Sequence, residues 1–587
     1  MKKKVSDIII NFLLKKKINN VFAVSGGASI HLIHSASKNK KIKCFFNHHE
    51  QASAMAADGV AKSTGKPSCV FATSGPGATN LITGICCSWF DSTPNIFITG
   101  QVTTFRLRGD LKIRQLGFQE TDVVPMVSSI TKYAVQIKRA EDILFELEKA
   151  HHIAITGRKG PVLIDIPDDI QRMYIDENNL KKFKIKKNKQ SNKNFDLKIK
   201  RIKSIIQNSR RPVFVFGAGA NINQNKLIIK KFIKKFKIPF LTTWGAKNLE
   251  NYSDYYCGTF GTHGCRSGNF CIQNADLVIS IGTKLGTRET GSPISKWLRQ
   301  GKIIMIDVDV NEITKFKKLK KKIDFNLVSD SKIFLKKFIN QNLIHKKEWN
   351  SWLEKNNHWK KKFKYQITCK SNEVDPYYFL NFLSNAINKK TDIFIETGCT
   401  IAWFMQIFKC KENQRVFHDF NFTAMGWTLP ASIGSSLVNR DKETIAIIGE
   451  GSLMMNIQEF ATMRKLCKNL KVFIINNNGY SMVKQTEWEW LNSKHFGTSS
   501  KDLFFPSFKY LAKANNLDYA LIKNKKDINK IKKIINSKNN YICEIIIPPD
   551  KIVQPQVKFG YPIEDGFPLI SEKTLNEEMI VPALKRP

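Results

Sequence analysis

A chain of 587 residues exceeds what one hydrophobic core can organise and implies about three or four domains. Its 42 % apolar and 25 % charged composition excludes wholesale disorder, and it has no apolar run of the roughly 18 residues that a membrane span needs. The net charge of +44 raises the question of nucleic acid, but the cations are overwhelmingly Lys in a chain also rich in Asn and Ile. All three have A/T-rich codons, so a low-GC genome accounts for the bias and no nucleic-acid partner is expected.

Met1 to Lys4 precede Val5, Ile8, Ile9, Phe12 and Leu13 at helical spacing, which predicts an amphipathic first helix and, in place of a signal peptide, a cytoplasmic chain. The first block runs to about Arg172. Its strand-like runs are Val21–Val24, Cys44–Phe46, Cys69–Ala72, Ile96–Thr99 and Val162–Asp165, with helical patterns between them. A polar linker, Asp176 to Asn194, follows. The second block opens on Pro212–Gly219 and continues through Asp276–Gly282 and Ile303–Asp307. A basic, Trp-containing helical stretch from His345 to Tyr365 links it to the third, with strands Ile393–Ile395, Thr444–Ile448 and Val472–Ile475. Strands alternating with helices predict three doubly wound parallel-sheet α/β domains, at 1–175, 195–345 and 372–550, with a surface tail at 551–587. The Lys-rich stretches Lys181–Lys193, Lys315–Lys322 and Lys360–Lys364 read as solvated linkers and helix faces, with Trp359 and Phe363 on a buried face. The twelve cysteines form no CxxC pair and read as reduced, structural thiols.

Two segments carry chemistry. Gly449-Glu450-Gly451-Ser452 ends one strand of the third block, and Asn476-Asn477-Asn478-Gly479 ends the next. A diphosphate held through Mg²⁺ needs oxygen ligands in near-octahedral array. Glu450 offers a carboxylate, Asn477 an amide oxygen and Gly479 a carbonyl, and glycine lets the backbone approach phosphate. A crossover helix between parallel neighbours brings both strand ends to one sheet edge. The pattern resembles the thiamine diphosphate motif of the acetolactate synthase and pyruvate decarboxylase superfamily. That family has Asp where Glu450 stands, so the metal must shift or the loop relax.

Thiamine diphosphate becomes a carbon nucleophile only when a carboxyl group bonded to its pyrimidine ring lets the cofactor's own imino group take the C2 proton. Such a carboxyl belongs in a shielded, apolar pocket. Glu50, in Asn47-His48-His49-Glu50-Gln51-Ala52, follows a strand and opens a small-residue helix suited to packing closely against the cofactor. By itself Glu50 could equally favour a helix N-terminus. The His48-His49-Glu50 run lacks the HExxH spacing of a zinc site.

The resemblance to acetolactate synthases covers nearly the whole chain. It implies that Ser25, Gly26, Gly75, Pro76 and Asn80 face the cofactor from the first block. It also implies that Gln101 and Gln119 line the substrate side. Gly398, Cys399, Thr400, Gly449, Gly451 and Ser452 are implied near the diphosphate. Met425 would wedge between the cofactor's rings, the Thr423 carbonyl would accept from its amino group, and Met482 would border the pocket. Arg288, in Gly282–Gly291, matches the arginine that receives the acceptor's carboxylate, with a surface salt bridge as the alternative. Its flanks Lys284, Leu285 and Gly286 differ from the family. Thr242–Gly245 and Gly261–Gly264 resemble segments that hold FAD in many relatives, so FAD is admitted without being required. Thr486 stands where branched-chain enzymes usually have Trp, which widens the acceptor pocket.

The leading expectation is a carboligase that takes pyruvate as donor and a 2-keto acid as acceptor, in branched-chain amino acid synthesis. One alternative acceptor is a keto-sugar nucleotide in polysaccharide synthesis; another reading, resting on Glu450, is a degenerate cofactor-binding assembly partner. The family splits its cofactor site between subunits, which implies a homodimer or homotetramer, and it admits a small regulatory subunit.

Overall fold

The computed structural model describes residues 2–185, 192–221, 225–492 and 495–586. Part of the first linker, 186–191, lies outside them. Three six-stranded, wholly parallel sheets form the molecule. In the first, the strands Lys43–Phe46, Asn20–Ala23, Cys69–Ala72, Ile96–Gln101, Val162–Pro167 and Tyr133–Gln136 lie side by side in that order. The central sheet runs Tyr256–Thr259, Phe240–Thr242, Pro212–Phe216, Leu277–Ile281, Lys302–Asp307, Phe325–Val328. The third runs Gln414–Phe417, Thr391–Ile395, Glu443–Gly449, Leu470–Asn476, Tyr541–Ile546, Asp518–Ile522. The predicted fold class holds. Among the described residues no helix is long and apolar enough to cross a membrane.

In each sheet the chain enters at an inner strand, fills one side, then crosses to the other. A crevice therefore opens at the carboxyl ends of the two strands flanking the reversal. In the first sheet these are Ala23 and Ala72, and in the third Ile395 and Gly449. The central strands are buried on both faces, as expected for helix-covered parallel sheets.

The helix Glu50–Thr64 corrects one expectation. Its small residues serve a helix crossing more than a cofactor: they lie against the helix Thr428–Val438 of the third block. A Cβ on Gly59 would sit 2.2 Å from the Ala431 carbonyl oxygen, and one on Gly434 2.2 Å from that of Ala56. Backbone meets backbone only because no side chain intervenes. One apolar core thus joins the first and third blocks, with Ala56, Ala57 and Val60 packed among Leu429 and Ile433.

The first helix, Val5–Lys15, forms as predicted, but the lysines before it form a strand pairing antiparallel with Tyr174–Asp176. The basic helix Lys347–Lys362 buries Trp349, Trp352 and Trp359, and Trp359 and Phe363 pack on Phe270. The tail is pinned to the central block. The Glu578 carboxylate receives Lys355, His358, Lys362 and the Trp359 indole, and Glu564 receives Arg299. All twelve cysteines are unpaired.

Candidate active site

Register brings the two glycine-flanked strand-end loops, the candidate metal loops, together. Gly449 pairs with Ile475, so Glu450 comes abreast of Asn476 and within reach of Asn477. Asn476 turns away, donating to Glu544, while Asn477 turns inward. One terminal atom of the Asn477 amide lies 2.9 Å from Glu450 Oε1 and 2.7 Å from the Gly479 carbonyl oxygen. With nitrogen inward the amide donates to both. With oxygen inward, the Asn477 oxygen faces two others at distances near the roughly 2.9 Å edge of an octahedron around Mg²⁺. The donor set therefore fits a small hard cation. Glu450 Oε1 also accepts from Gly479 N at 2.7 Å, so the extra methylene is absorbed by a local hydrogen bond. Burial pushes the Glu450 carboxyl up to about 7, against the pull of that hydrogen bond and of Lys484.

Glycines clear the space around these groups. A Cβ on Gly451 would run into the Tyr480 ring at 2.0 Å. Gly398 adopts φ +79, and a Cβ there would meet nothing within 4 Å, which leaves open space at the start of the helix Cys399–Ile407. Thr400 Oγ1 lies 3.7 Å from the Cβ position of Gly449, so this loop and the metal loop share one wall. Cys399, Thr400 and Ser452 are buried there, and Met482 is half-buried against the core behind them.

Thr423 sits at φ +60, a conformation that a β-branched residue rarely adopts. It is held from several sides. Thr423 N donates to the Asp419 carbonyl and Ala424 N to the Asp419 carboxylate. Asp91 of the first block accepts from Phe420 N and Asn421 N, and Arg288 donates to the Phe420 carbonyl at 3.1 Å. The buried ammonium of Lys62 lies 2.9 Å from Asp58 and 2.8 Å from Asp91 and donates to the His418 carbonyl. Burial alone would lower its pKa, but Asp58, Asp91 and Asp419 raise it above the ordinary value. Burial likewise lifts Asp419 to about 6. Met425 lies half-buried at the end of this braced loop, where a Cβ on Gly426 would strike Met455. Sequence reading missed the brace. Its trace is the i,i+4 pair Asp58 and Lys62 on one helix.

The first block presents a second cluster. Glu50 is the first residue of its helix, 8 % exposed, and its Oε2 accepts from Asn80 Nδ2 at 3.0 Å. Gly77 lies beside Oε1, and Gly75, at φ +63, carries Gln119 against it. Ser25 is exposed and Gly26 presses on Thr73, both at the neighbouring strand end. Pro76 starts the next short helix and is exposed. Gln119 is exposed with φ +62, but Gln101 is fully engaged. Its amide donates to the Thr121 carbonyl and to Asp165, and its oxygen accepts from Val102 N. Both ends of the Gln101 amide are thus held within the first block. Glu459, also unforeseen, ties this cluster to the third block by accepting from Asn47 Nδ2 and His48 N.

Arg288 stands beside the brace of the Thr423 loop, where it donates to the Phe420 carbonyl. It lines a cavity of about 340 Å³ at the carboxyl edge of the central sheet, stacks over Trp244 at 4.5 Å and makes no ion pair among the described residues. The surface salt bridge is thus absent and the guanidinium retains charge for an anion. Thr243, Trp244 and Gly245 border the cavity. Gly261–Gly264 does not, because Gly261 packs on the Arg288 backbone and Thr262 N donates to its carbonyl.

Three family models match along the chain: the N-terminal TPP binding domain of thiamine pyrophosphate enzymes over 3–126, their central domain over 199–338, and their C-terminal TPP binding domain over 396–545. The acetolactate synthase large subunit of Lactococcus lactis is 29 % identical over 94 % of both chains. That of Cyanidium caldarium is 30 % identical over 94 % of both. The chloroplastic acetolactate synthase of Arabidopsis thaliana is 30 % identical over 96 % of this chain and 84 % of its own.

The chain belongs to the acetolactate synthase-like thiamine pyrophosphate enzymes. In this thiamine pyrophosphate enzyme the C-terminal match spans the Gly398 loop, the braced Thr423 segment and both metal loops, and the N-terminal match spans the Glu50 cluster. The two clusters come from different sheets, as three separate domain models require.

Proposed function

We propose that this chain is a thiamine diphosphate-dependent carboligase that takes pyruvate as donor and a second 2-keto acid as acceptor, releasing CO₂ and forming one new carbon–carbon bond. The observation that carries this reading is the convergence of Glu450, Asn477 and the Gly479 carbonyl at one sheet edge. The names of the relatives, acetolactate synthases, support the choice of reaction.

When bound, the cofactor supplies an electron sink for the carbon that loses its carboxylate. The chain supplies the rest. Glu450, Asn477 and the Gly479 carbonyl hold Mg²⁺, and Gly398, Cys399, Thr400, Gly449, Gly451 and Ser452 surround the diphosphate. Glu50 holds a proton against the pyrimidine ring, steadied by Asn80. Thr423 directs its carbonyl and Met425 its side chain from a loop whose strained geometry is fixed by Asp91, Lys62 and Asp419. Ser25, Gly26, Gly75 and Pro76 shape the wall opposite, Gln119 faces the reacting carbonyls, and Arg288 receives the acceptor's carboxylate as a bidentate partner. Thr486 leaves more room than tryptophan would and admits a larger acceptor.

The half-sites are completed by a second copy of the chain, and large exposed apolar side chains beside each support this: Phe118 and Leu116 near Glu50, Trp488, Trp490 and Phe504 beyond Met482. A flavin dinucleotide is admitted without being required, and Thr243, Trp244 and Gly245 are the residues of the cavity that would touch it; a smaller regulatory partner is consistent with the large-subunit names of two relatives. The domain division at 1–175, 195–345 and 372–550 places one sheet in each part. The degenerate reading loses its motive, since Glu450 reaches its neighbours. Purified protein given Mg²⁺, thiamine diphosphate, pyruvate and a mixture of 2-keto acids should release CO₂ and yield acetolactate or a homologue by mass spectrometry. Pyruvate consumption without any such ligation product would refute the proposal.

A further inference from the structure

The helix Ser481–Leu491 follows the second metal loop and carries Lys484 one turn from its start. Only 8 % of Lys484 is exposed. Its side chain runs back toward the helix N-terminus, as helical geometry dictates, and its tip lies on Gly479: a Cβ there would come 2.6 Å from Nζ and 2.8 Å from Cε. Two other buried ammonium groups are satisfied. Lys62 has two carboxylates and a carbonyl, and Lys471 two carbonyls and an amide. Among the described residues Lys484 Nζ makes no hydrogen bond and no ion pair. Glu450 and Glu487 attract it from a distance, but neither carboxylate is in contact, and a buried ammonium without a hydrogen-bond acceptor is costly, so its placement leaves room for a contacting anion beside Gly479.

The residues assigned to the diphosphate, Gly398, Cys399, Thr400, Gly449, Gly451 and Ser452, include no cation. A magnesium ion facing a diphosphate and the Glu450 carboxylate leaves net negative charge, and Lys484 touches Gly479 and lies near enough to Glu450 to attract its carboxyl. We propose that Lys484 Nζ binds the terminal phosphate of thiamine diphosphate directly, acting as a second cation beside the metal held by the lengthened Glu450 side chain. This rests on the cofactor reading above. A neutral packing role for Lys484 would instead be met by any unbranched apolar side chain.

Calorimetric titration with thiamine diphosphate at fixed Mg²⁺ separates the two, using the natural chain, Lys484→Met and Lys484→Arg, each checked for an unchanged melting temperature. Lys484→Met should weaken cofactor binding by about tenfold to a hundredfold, as loss of a charge-assisted hydrogen bond implies. It should also raise the Mg²⁺ needed for half-saturation and flatten the dependence of affinity on KCl. Lys484→Arg should restore most of the affinity. Affinity within about twofold of natural in Lys484→Met, or a Lys484→Arg as weak as Lys484→Met, would overturn the proposal while leaving the cofactor reading intact. No uptake of the cofactor by the natural chain would overturn that reading, and this proposal with it.

Discussion

At the scale of single residues the candidate site depends on buried carboxylates whose surroundings differ. Glu450 is a carboxylate that would ligate Mg²⁺ beside Asn477 and the Gly479 carbonyl, so Glu450→Gln should leave the fold intact and weaken Mg²⁺-dependent cofactor binding by about a hundredfold. Metal titration followed by tryptophan fluorescence measures this, and an unchanged midpoint would contradict it. Asp165 behaves differently. Burial lifts it from 3.8 to about 6 despite donors from Gln136, Thr99 and Gln101. Below pH about 4 folded and unfolded chains both hold its proton. As pH rises toward 6 the unfolded chain releases it first, so the folded state loses about 3 kcal/mol of stability across that window. Denaturant midpoints between pH 4 and 7 should fall less steeply in Asp165→Asn than in the natural chain. The adjacency of Asn477 and Glu450 was legible in the sequence because two successive parallel strands end in glycine-flanked loops on one sheet edge. The engagement of Gln101 was not, since it depends on Asp165, 64 residues away.

At the scale of elements, the crossing of Glu50–Thr64 with Thr428–Val438 fixes the first sheet against the third. Gly59→Leu would push a branched side chain into the Ala431 backbone and should cost at least about 3 kcal/mol or block folding. Thermal unfolding reads the outcome, and an unperturbed transition would show that the crossing is loose. Lys62→Met leaves three buried carboxylates without their cation and should destabilise by about 3–5 kcal/mol. The long central strands were legible because their apolar runs are continuous. The edge strands Gln414–Phe417, Phe325–Val328 and Asp518–Ile522 were not: they are short, partly polar and half-exposed, so pairing and not composition makes them strands. The alanine- and glycine-rich helix was visible, but not what it packs on, because a small-residue face suits a ligand and a helix equally.

At the scale of the whole molecule, the Glu50 and Glu450 clusters belong to separate sheets, and each is bordered by exposed apolar side chains. The chain should therefore sediment as a dimer or a larger even oligomer, burying at least about 1,000 Å² per pair. The most direct test of the two-copy site is complementation. Glu50→Gln and Asn477→Ala are co-expressed with different tags, and the hetero-oligomer carrying both is isolated. Each variant alone should be inactive in pyruvate ligation, while a mixed dimer should recover about half of natural activity, because one of its two equivalent sites is assembled from intact halves. Inactivity of the purified mixed dimer would mean that both halves come from one chain, and would contradict the account.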